Sequence, residues 1–208
     1  EKTVTFTSST ARYVRLTALT EAGGRGPWSN AAEINLLGYT APVLPRAGWT
    51  ATADSEETAV PGYTAAAAID GSAASFWHTR WIGTPAPLPH TLTIDMHEIV
   101  TVSGLAYLPR PAAGGRNGNI GRYEIHVSTD GSAWGTPVAT GTFADTSTEK
   151  TVSFPASTAR YVRLTALTEA GGRGPWSNAA EINLLSGVPR DDARFGAWSS
   201  SIGFPLVP

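Results

Sequence analysis

Residues 149–185 read EKTVSFPASTARYVRLTALTEAGGRGPWSNAAEINLL, and residues 1–37 read EKTVTFTSSTARYVRLTALTEAGGRGPWSNAAEINLL. Only three positions differ: Thr5 against Ser153, Thr7 against Pro155 and Ser8 against Ala156. Each copy holds two strand-like runs separated by a Gly-rich loop with one Trp. In the second copy, 150–154 puts Val152 and Phe154 on one side, and 159–166 (ARYVRLTA) sends Val162 and Leu164 to one face. The run 181–185 (EINLL) reads as a short closing strand. The offset between copies, 149 − 1 = 148 residues, is too long for a solenoid repeat and matches the size of one ordinary domain. The repeat therefore predicts a tandem array. Residues 1–39 would be the C-terminal fragment of a preceding near-identical module, 40–46 a linker, 45–187 a complete module, and 188–208 a linker and the start of a following domain.

Working outward, sheet signals dominate. In 91–96 (TLTIDM), Leu92, Ile94 and Met96 alternate with Thr91, Thr93 and Asp95. Residues 123–127 (YEIHV) alternate in the same way, and Asp130-Gly131 supplies a turn. No stretch sustains a helical period over 12 residues; 65–69 is the best helical candidate and is short. Residues 38–46, with two prolines and no periodicity, read as a linker. Strands punctuated by Gly and Pro predict an all-β fold, an antiparallel sandwich or jelly roll.

The 17 acidic and 15 basic side chains nearly cancel, which argues against a nucleic-acid footprint, and no basic cluster suggests a membrane surface. No apolar run approaches the roughly 20 residues that span a bilayer. With no cysteine, disulfides, thiolate metal sites and Cys nucleophiles are excluded in this segment. The expected partners include neither nucleic acid nor membrane.

Two groups of residues carry chemistry. In 67–81 (AAIDGSAASFWHTRW), Asp70-Gly71 makes a tight turn, and Asp70, Ser72 and Ser75 are spaced as oxygen donors for a hard cation. The competing reading is an ordinary Asp-Gly turn. The second group lies in loops: His78, Trp81, Arg110, Asn117 and Trp176. This set suits a sugar, because a Trp ring covers the apolar face of a pyranose while Arg, Asn and His serve its hydroxyls. Each also has a structural alternative: Arg110 paired with a carboxylate, His78 as a satisfied structural histidine. Trp49 and Trp77 read as core. His90, His97 and His126 have no metal-ligand spacing, and Glu56-Glu57 and Asp191-Asp192 are not credible acid–base pairs.

The blocks AIDGSAASFWHT, PLPHTLTIDM, GLAYLPR, GNIGRYEIHVSTDGSAWGTPVATGTF, ARYVRLTALTEA and PWSNAAEINLL occur in order over roughly 45–185. Together they resemble a family 32 carbohydrate-binding module, the discoidin or factor five/eight type C fold. Within it the likeness is to the modules attached to galactose oxidase and to some bacterial sialidases. The resemblance implies an eight-stranded antiparallel jelly-roll β-sandwich and one structural calcium ion. The ion would be held by main-chain oxygens of Ala67, Ser72 and Ala180 and side-chain oxygens of Asp70, Ser75 and Glu181. It implies a galactose-type sugar site at His78, Trp81, Arg110, Asn117 and Trp176, with Glu57 as an additional contact. The tail 195–208 resembles the segment that leads into an oxidase's propeller domain. In the first copy, Trp28 and Glu33 would stand for Trp176 and Glu181, without the loops that carry Asp70, His78 and Arg110.

The expected function is that of a non-catalytic, calcium-stabilised, lectin-like module, targeting an attached secreted enzyme to glycans. An oxidase in its own right is disfavoured, because the copper-radical centre such enzymes resemble needs a Cys. Discoidin-type protein or lipid recognition is the alternative; the loops 112–121 and 171–178 are mostly Gly and polar, which favours sugar. Residues 1–37 are expected to pack on the complete module or to exchange with another chain.

Overall fold

The computed structural model describes residues 2, 4, 14–32, 34, 41–186 and 204–205. The chain divides into two units, Ala41–Val188 and Glu1–Thr40 with Pro189–Pro208. In the latter, β1 (Trp28–Ser29) pairs antiparallel with β10 (Phe204–Pro205). Glu33 and the rest of the first copy's closing strand, apart from Ile34, lie outside the described residues.

Among the described residues, the larger unit contains eight strands: β2 (Thr50–Ala53), β3 (Trp77–His78), β4 (His90–Leu108), β5 (Arg122–Ser128), β6 (Ala139–Thr142), β7 (Lys150–Ala166), β8 (Asn178–Ala179) and β9 (Glu181–Ser186). The helical candidate forms only a buried 3-10 turn, Ala65–Ala68. Four small side chains without a long amphipathic face do not sustain more.

β4 and β7 are long enough to serve two layers. In the first, His90–Asp95 of β4 pair with Ala166–Tyr161 of β7, flanked by β2 on one side and by β5 and then β6 on the other. In the second, Gly104–Tyr107 pair with Ser153–Lys150 on one side and with β9 on the other. Register shifts between Asp95 and Val100 and between Val102 and Gly104 mark where the strand changes layer, as bulges do at sandwich corners. At the first shift His97 has φ 60 and its N–H donates to Asp95 Oδ1 at 2.7 Å. Gly104 marks the second; a Cβ there would lie 2.8 Å from the Val152 carbonyl oxygen. Any side chain would push the strands apart.

The alternation read in the sequence is the packing pattern. Leu92, Ile94 and Met96 are buried from one layer, and Leu105, Ile182 and Leu184 from the other, in a single cluster. Trp77 is 1% exposed in that cluster, and its indole N–H donates to the Ser55 carbonyl at 3.0 Å. Trp49 packs on the cluster's edge. Trp77 is core, as expected, and Trp49 is partly buried against it.

The segment expected as a linker is more ordered than its prolines suggest. Ser186 N–H donates to Pro42 O and Leu44 N–H to Leu184 O, both at 2.8 Å, with Val43 bridged to Leu185. Residues 42–44 thus extend the sheet beyond β9, earlier than the expected start at Pro45. Prolines on an edge cost no ladder donor when the missing N–H faces away.

Candidate functional site: loops around the β3–β8 pair

β3 and β8 form a two-rung ribbon, Trp77↔Ala179 and His78↔Asn178. It continues beyond Thr79, whose N–H donates to Ser177 O at 2.9 Å while its hydroxyl accepts Ser177 N–H at 3.0 Å. Alternation along 76–78 turns Trp77 into the core and leaves Phe76 and His78 facing the other way.

Four rings meet there edge to face. Tyr63 lies 4.9 Å from Phe76 and 4.8 Å from Trp81, and His78 lies 4.8 Å from Trp81 and 6.3 Å from Phe76, centroid to centroid. Arg110 sets its guanidinium 4.6 Å above the Phe76 ring. Its Nε is buried and has no hydrogen-bond partner. Arg110 has no carboxylate partner among the described residues, so the ion-pair alternative for it fails. Burial lowers its pKa. A buried donor without an acceptor is costly unless a ligand supplies one.

His78 is 3% exposed, and Nδ1 lies 2.6 Å from the Thr79 carbonyl. Burial lowers its pKa and the Arg110 charge adds to this, against the opposing pull of the Thr79 and Asn117 carbonyls. A neutral ring donating from Nδ1 keeps Nε2 as an acceptor.

Asn178 joins the loops. Its Oδ1 accepts Arg110 N–H at 2.9 Å, its Nδ2 donates to Asn117 O at 2.8 Å, and its own N–H donates to Gly118 O at 2.8 Å. Gly118 has φ +84, which strains any other residue, and a Cβ would crowd the site, 3.2 Å from His78 Nε2 and 3.1 Å from Asn178 Nδ2. Asn117 is brought beside His78 through this backbone link, and its side chain is exposed.

Trp176 stands on the rung beyond Ser177 and is half-buried, its ring flat against Gly174, where a Cβ would lie 2.4 Å from Cζ3. It makes no ring contact with Trp81, Phe76 or His78. Its loop is pinned from both sides. Arg173 bonds Asp145 at 2.8 and 2.9 Å and Glu169 at 2.8 Å, which holds Asp145 down at about 2. Below, His90 Nε2 lies 2.8 Å from Pro175 O and Nδ1 3.3 Å from Asp54 Oδ2. Burial lowers the His90 pKa, but Asp54 and the Pro175 carbonyl outweigh it and the net shift is upward.

Glu57 has a different place from the one the resemblance implies. It is 1% exposed, and its carboxylate accepts three main-chain N–H groups: Ala59 at 2.9 Å, Trp81 at 2.9 Å and Ile82 at 2.8 Å. Burial pulls its pKa up, the amides of Ile82, Trp81 and Ala59 pull it down, and the net shift is downward. The carboxylate is used to shape the Trp81 loop from beneath.

Sequence reasoning passed over Tyr63, Phe76 and Asn178. Phe76 was accessible from its i, i−2 relation to His78. Tyr63 and Asn178 carried no local signal, because their roles come from loops distant in sequence.

Of the residues expected to hold calcium, Asp70, Ser72 and Ser75 bond one another, and Glu181 reaches the same turn. Asp70 Oδ1 accepts Ser72 N–H at 2.8 Å, and Oδ2 accepts the Ser75 hydroxyl at 2.6 Å. Ser75 Oγ also lies 3.2 Å from Ser72 O. Glu181 is 6% exposed; Oε1 accepts Gly71 N–H at 2.7 Å, and Oε2 pairs with Arg46, which also reaches Asn183. Ala67 is buried in the adjacent 3-10 turn, and Ala180 is buried before Glu181, its N–H donating to Leu108 O at 2.8 Å. The donor set is all oxygen with two carboxylates, which fits a hard cation.

The sequence profile of the F5/8 type C domain matches residues 50–182. The chain belongs to this family. A galactose oxidase of Gibberella zeae is 40% identical over 207 residues, covering 96% of this chain and 30% of the oxidase. A sialidase of Micromonospora viridifaciens is 42% identical over 135 residues, 64% of this chain and 20% of the sialidase. The chain thus spans less than a third of these relatives. Among solved structures, the Clostridium perfringens module CpGH89CBM32-5, in complex with GalNAc-beta-1,3-galactose, is 35% identical with TM-score 0.64, over 70% of this chain and 100% of that one. The family 32 module of NanJ from the same organism, in complex with galactose, is 35% identical with TM-score 0.60, over 68% of this chain and 96% of that one. The F5/8 type C assignment and its β-sandwich agree with the reading of the sequence, and the family is one of binding modules rather than catalysts.

Proposed function

We propose that the chain is a calcium-stabilised module that binds terminal galactose or a closely related sugar and holds an attached enzyme at glycans. The observation that carries this reading is Arg110: a guanidinium over Phe76, its buried Nε without an acceptor, beside the His78–Trp81 pair. Sugar hydroxyls would take the Arg110 donors and the Nε2 acceptor of His78, and the exposed Asn117 amide would close the ring of polar contacts. Trp81, with Phe76 and Tyr63 behind it, offers an aromatic surface to the C–H face of a pyranose. Trp176 would contact an outer part of the ligand, since it stands one rung away. The two solved relatives bound to galactose-containing sugars support the ligand class. In this reading the module works outside the cell, where terminal galactose is displayed. The parent enzyme's activity, an oxidase or another glycan-acting type, follows the curated relatives and is part of the same proposal. Calorimetric titration with galactose should give a saturable heat; no heat with galactose, lactose or a panel of galactose-ended glycans would overturn the reading.

Calcium would be held by Asp70, Ser75 and Glu181 side chains with Ala67, Ser72 and Ala180 carbonyls. It would supply positive charge that fixes the Asp70 turn to the start of β9, and Arg46 would share Glu181 with it. At free calcium about 100 times Kd, binding adds about 2.7 kcal/mol to stability, which raises Tm by roughly 5–10 °C. Melting in EDTA and in millimolar calcium measures this; identical Tm values, or an Asp70→Asn chain that still responds like the parent, would remove the ion from the proposal.

A further inference from the structure

We propose that Arg46 is a built-in cation of the Asp70–Glu181 site: it holds Glu181 in place without an ion, and it weakens the site's grip on calcium by sharing that carboxylate. The inference rests on the calcium reading above and concerns a residue outside the expected ligand set. It begins with a buried charge. Glu181 is 6% exposed, and Arg46 is the one cation within ion-pair distance of it among the described residues. A carboxylate taken that far out of water needs a partner of opposite charge. Glu181 opens β9 opposite Leu108, two residues before Arg110. Whatever fixes Glu181 therefore also steadies the strand that leads to the sugar loops.

The guanidinium is held on both prongs. Nη1 donates to Glu181 Oε2 and Nη2 to Asn183 Oδ1. Glu181 and Asn183 alternate with Ile182 and Leu184, which belong to the core, so the fork lies across the outer face of β9. The backbone around Arg46 is fixed as well. Leu44 N–H donates to Leu184 O at 2.8 Å, and the Arg46 carbonyl accepts Trp49 N–H at 3.1 Å. A planar fork carried on a segment already docked loses little further freedom when it pairs.

The charges then set the ion's affinity. Asp70 and Glu181 supply the negative charge of the donor set; Ser75 and the carbonyls of Ala67, Ser72 and Ala180 add none. Arg46 cancels one of the two negative charges. Asp70 has no ion-pair partner of its own among the described residues, its oxygens being taken by Ser72 N–H and the Ser75 hydroxyl. Calcium affinity follows the charge count of its oxygen ligands, and a second cation on a shared carboxylate repels the first. Neither oxygen of Glu181 is idle: Oε1 accepts Gly71 N–H at 2.7 Å and ties down the Asp70 turn, while Oε2 ties down the Arg46 segment. Arg46 thus does for β9 part of what the ion would do. The two halves of the site stay together at low calcium, and calcium is held less tightly than by the same carboxylates alone.

The test uses the full chain with Arg46→Met, which keeps the apolar stem and removes the charge, and with Arg46→Lys, which keeps the charge. Calcium is titrated by calorimetry, and each chain is melted in EDTA and in millimolar calcium. The Arg46→Met chain is expected to bind calcium about tenfold more tightly than the parent. Its Tm in EDTA is expected to fall by roughly 5–10 °C, because a buried carboxylate is left unpaired, and saturating calcium is expected to restore most of that loss. The Arg46→Lys chain is expected to lie nearer the parent in both measurements. Equal calcium affinity in the parent and the Arg46→Met chain overturns the proposal and leaves the ion in place. So does a Tm deficit of the same size in EDTA and in calcium, which is what a merely structural ion pair gives, or an Arg46→Met chain without a transition in either. A parent that binds no calcium overturns the ion reading itself, and this proposal with it.

Discussion

An Arg110→Ala chain is expected to lose about 10- to 150-fold in galactose affinity while melting close to the parent. The binding loss corresponds to about 1.5–3 kcal/mol for hydrogen bonds to a charged donor. Stability changes little because Arg110 has no carboxylate partner among the described residues, its contact being with the Phe76 ring. A cation–π contact of this kind contributes about 0.5–1 kcal/mol when partly exposed. Removing the side chain also removes a buried donor that has no acceptor, which offsets part of that. Titration calorimetry and a thermal melt on the same preparation separate the two effects. Unchanged affinity, in a folded variant of a chain that binds galactose, would show that the sugar sits elsewhere.

Asn178→Ala is expected to damage both properties. The substitution leaves the Arg110 N–H and the Asn117 carbonyl without their side-chain partner in a part-buried position. Unsatisfied buried groups cost about 1–3 kcal/mol each; these two are only part-buried, so a loss of about 2 kcal/mol and a Tm lower by roughly 4–8 °C follow. Galactose affinity falls as well, because the Asn178 side chain ties the Arg110 and Asn117 loops to β8, which pairs with the strand that carries His78. A variant with parent-like Tm and affinity would mean that Gly118 and the Phe76 contact hold these loops unaided.

These two residues mark the limit of what the sequence discloses. β4 was legible because Leu92, Ile94 and Met96 alternate with polar residues, and the core takes every one of them. The layer change was not, because it depends on two register shifts and on the close approach of Val152 to Gly104. His78, Trp81 and Arg110 were legible through composition and family likeness, and the fold brings them together. Glu57 was placed among the ligands by family likeness alone. Only the folded chain shows its oxygens occupied by three amides. Asn178 sat unnoticed within a strongly patterned run, since hydrogen bonds spanning 61 and 68 residues leave no trace in local spacing.

The pairing of residues 42–44 with β9 has a mechanical consequence. The module's entering and leaving strands lie side by side and run antiparallel, so opposed forces on its two ends meet at Pro42 and Ser186. Load in that direction does not shear a row of bonds together. It opens the Ser186–Pro42 bond first and the Leu44–Leu184 bond next, one at a time, like a zip. Tension applied across Pro42 and Ser186 would therefore peel the module at its edge, while β4 and β7, in the middle of the sheet order, stay closed.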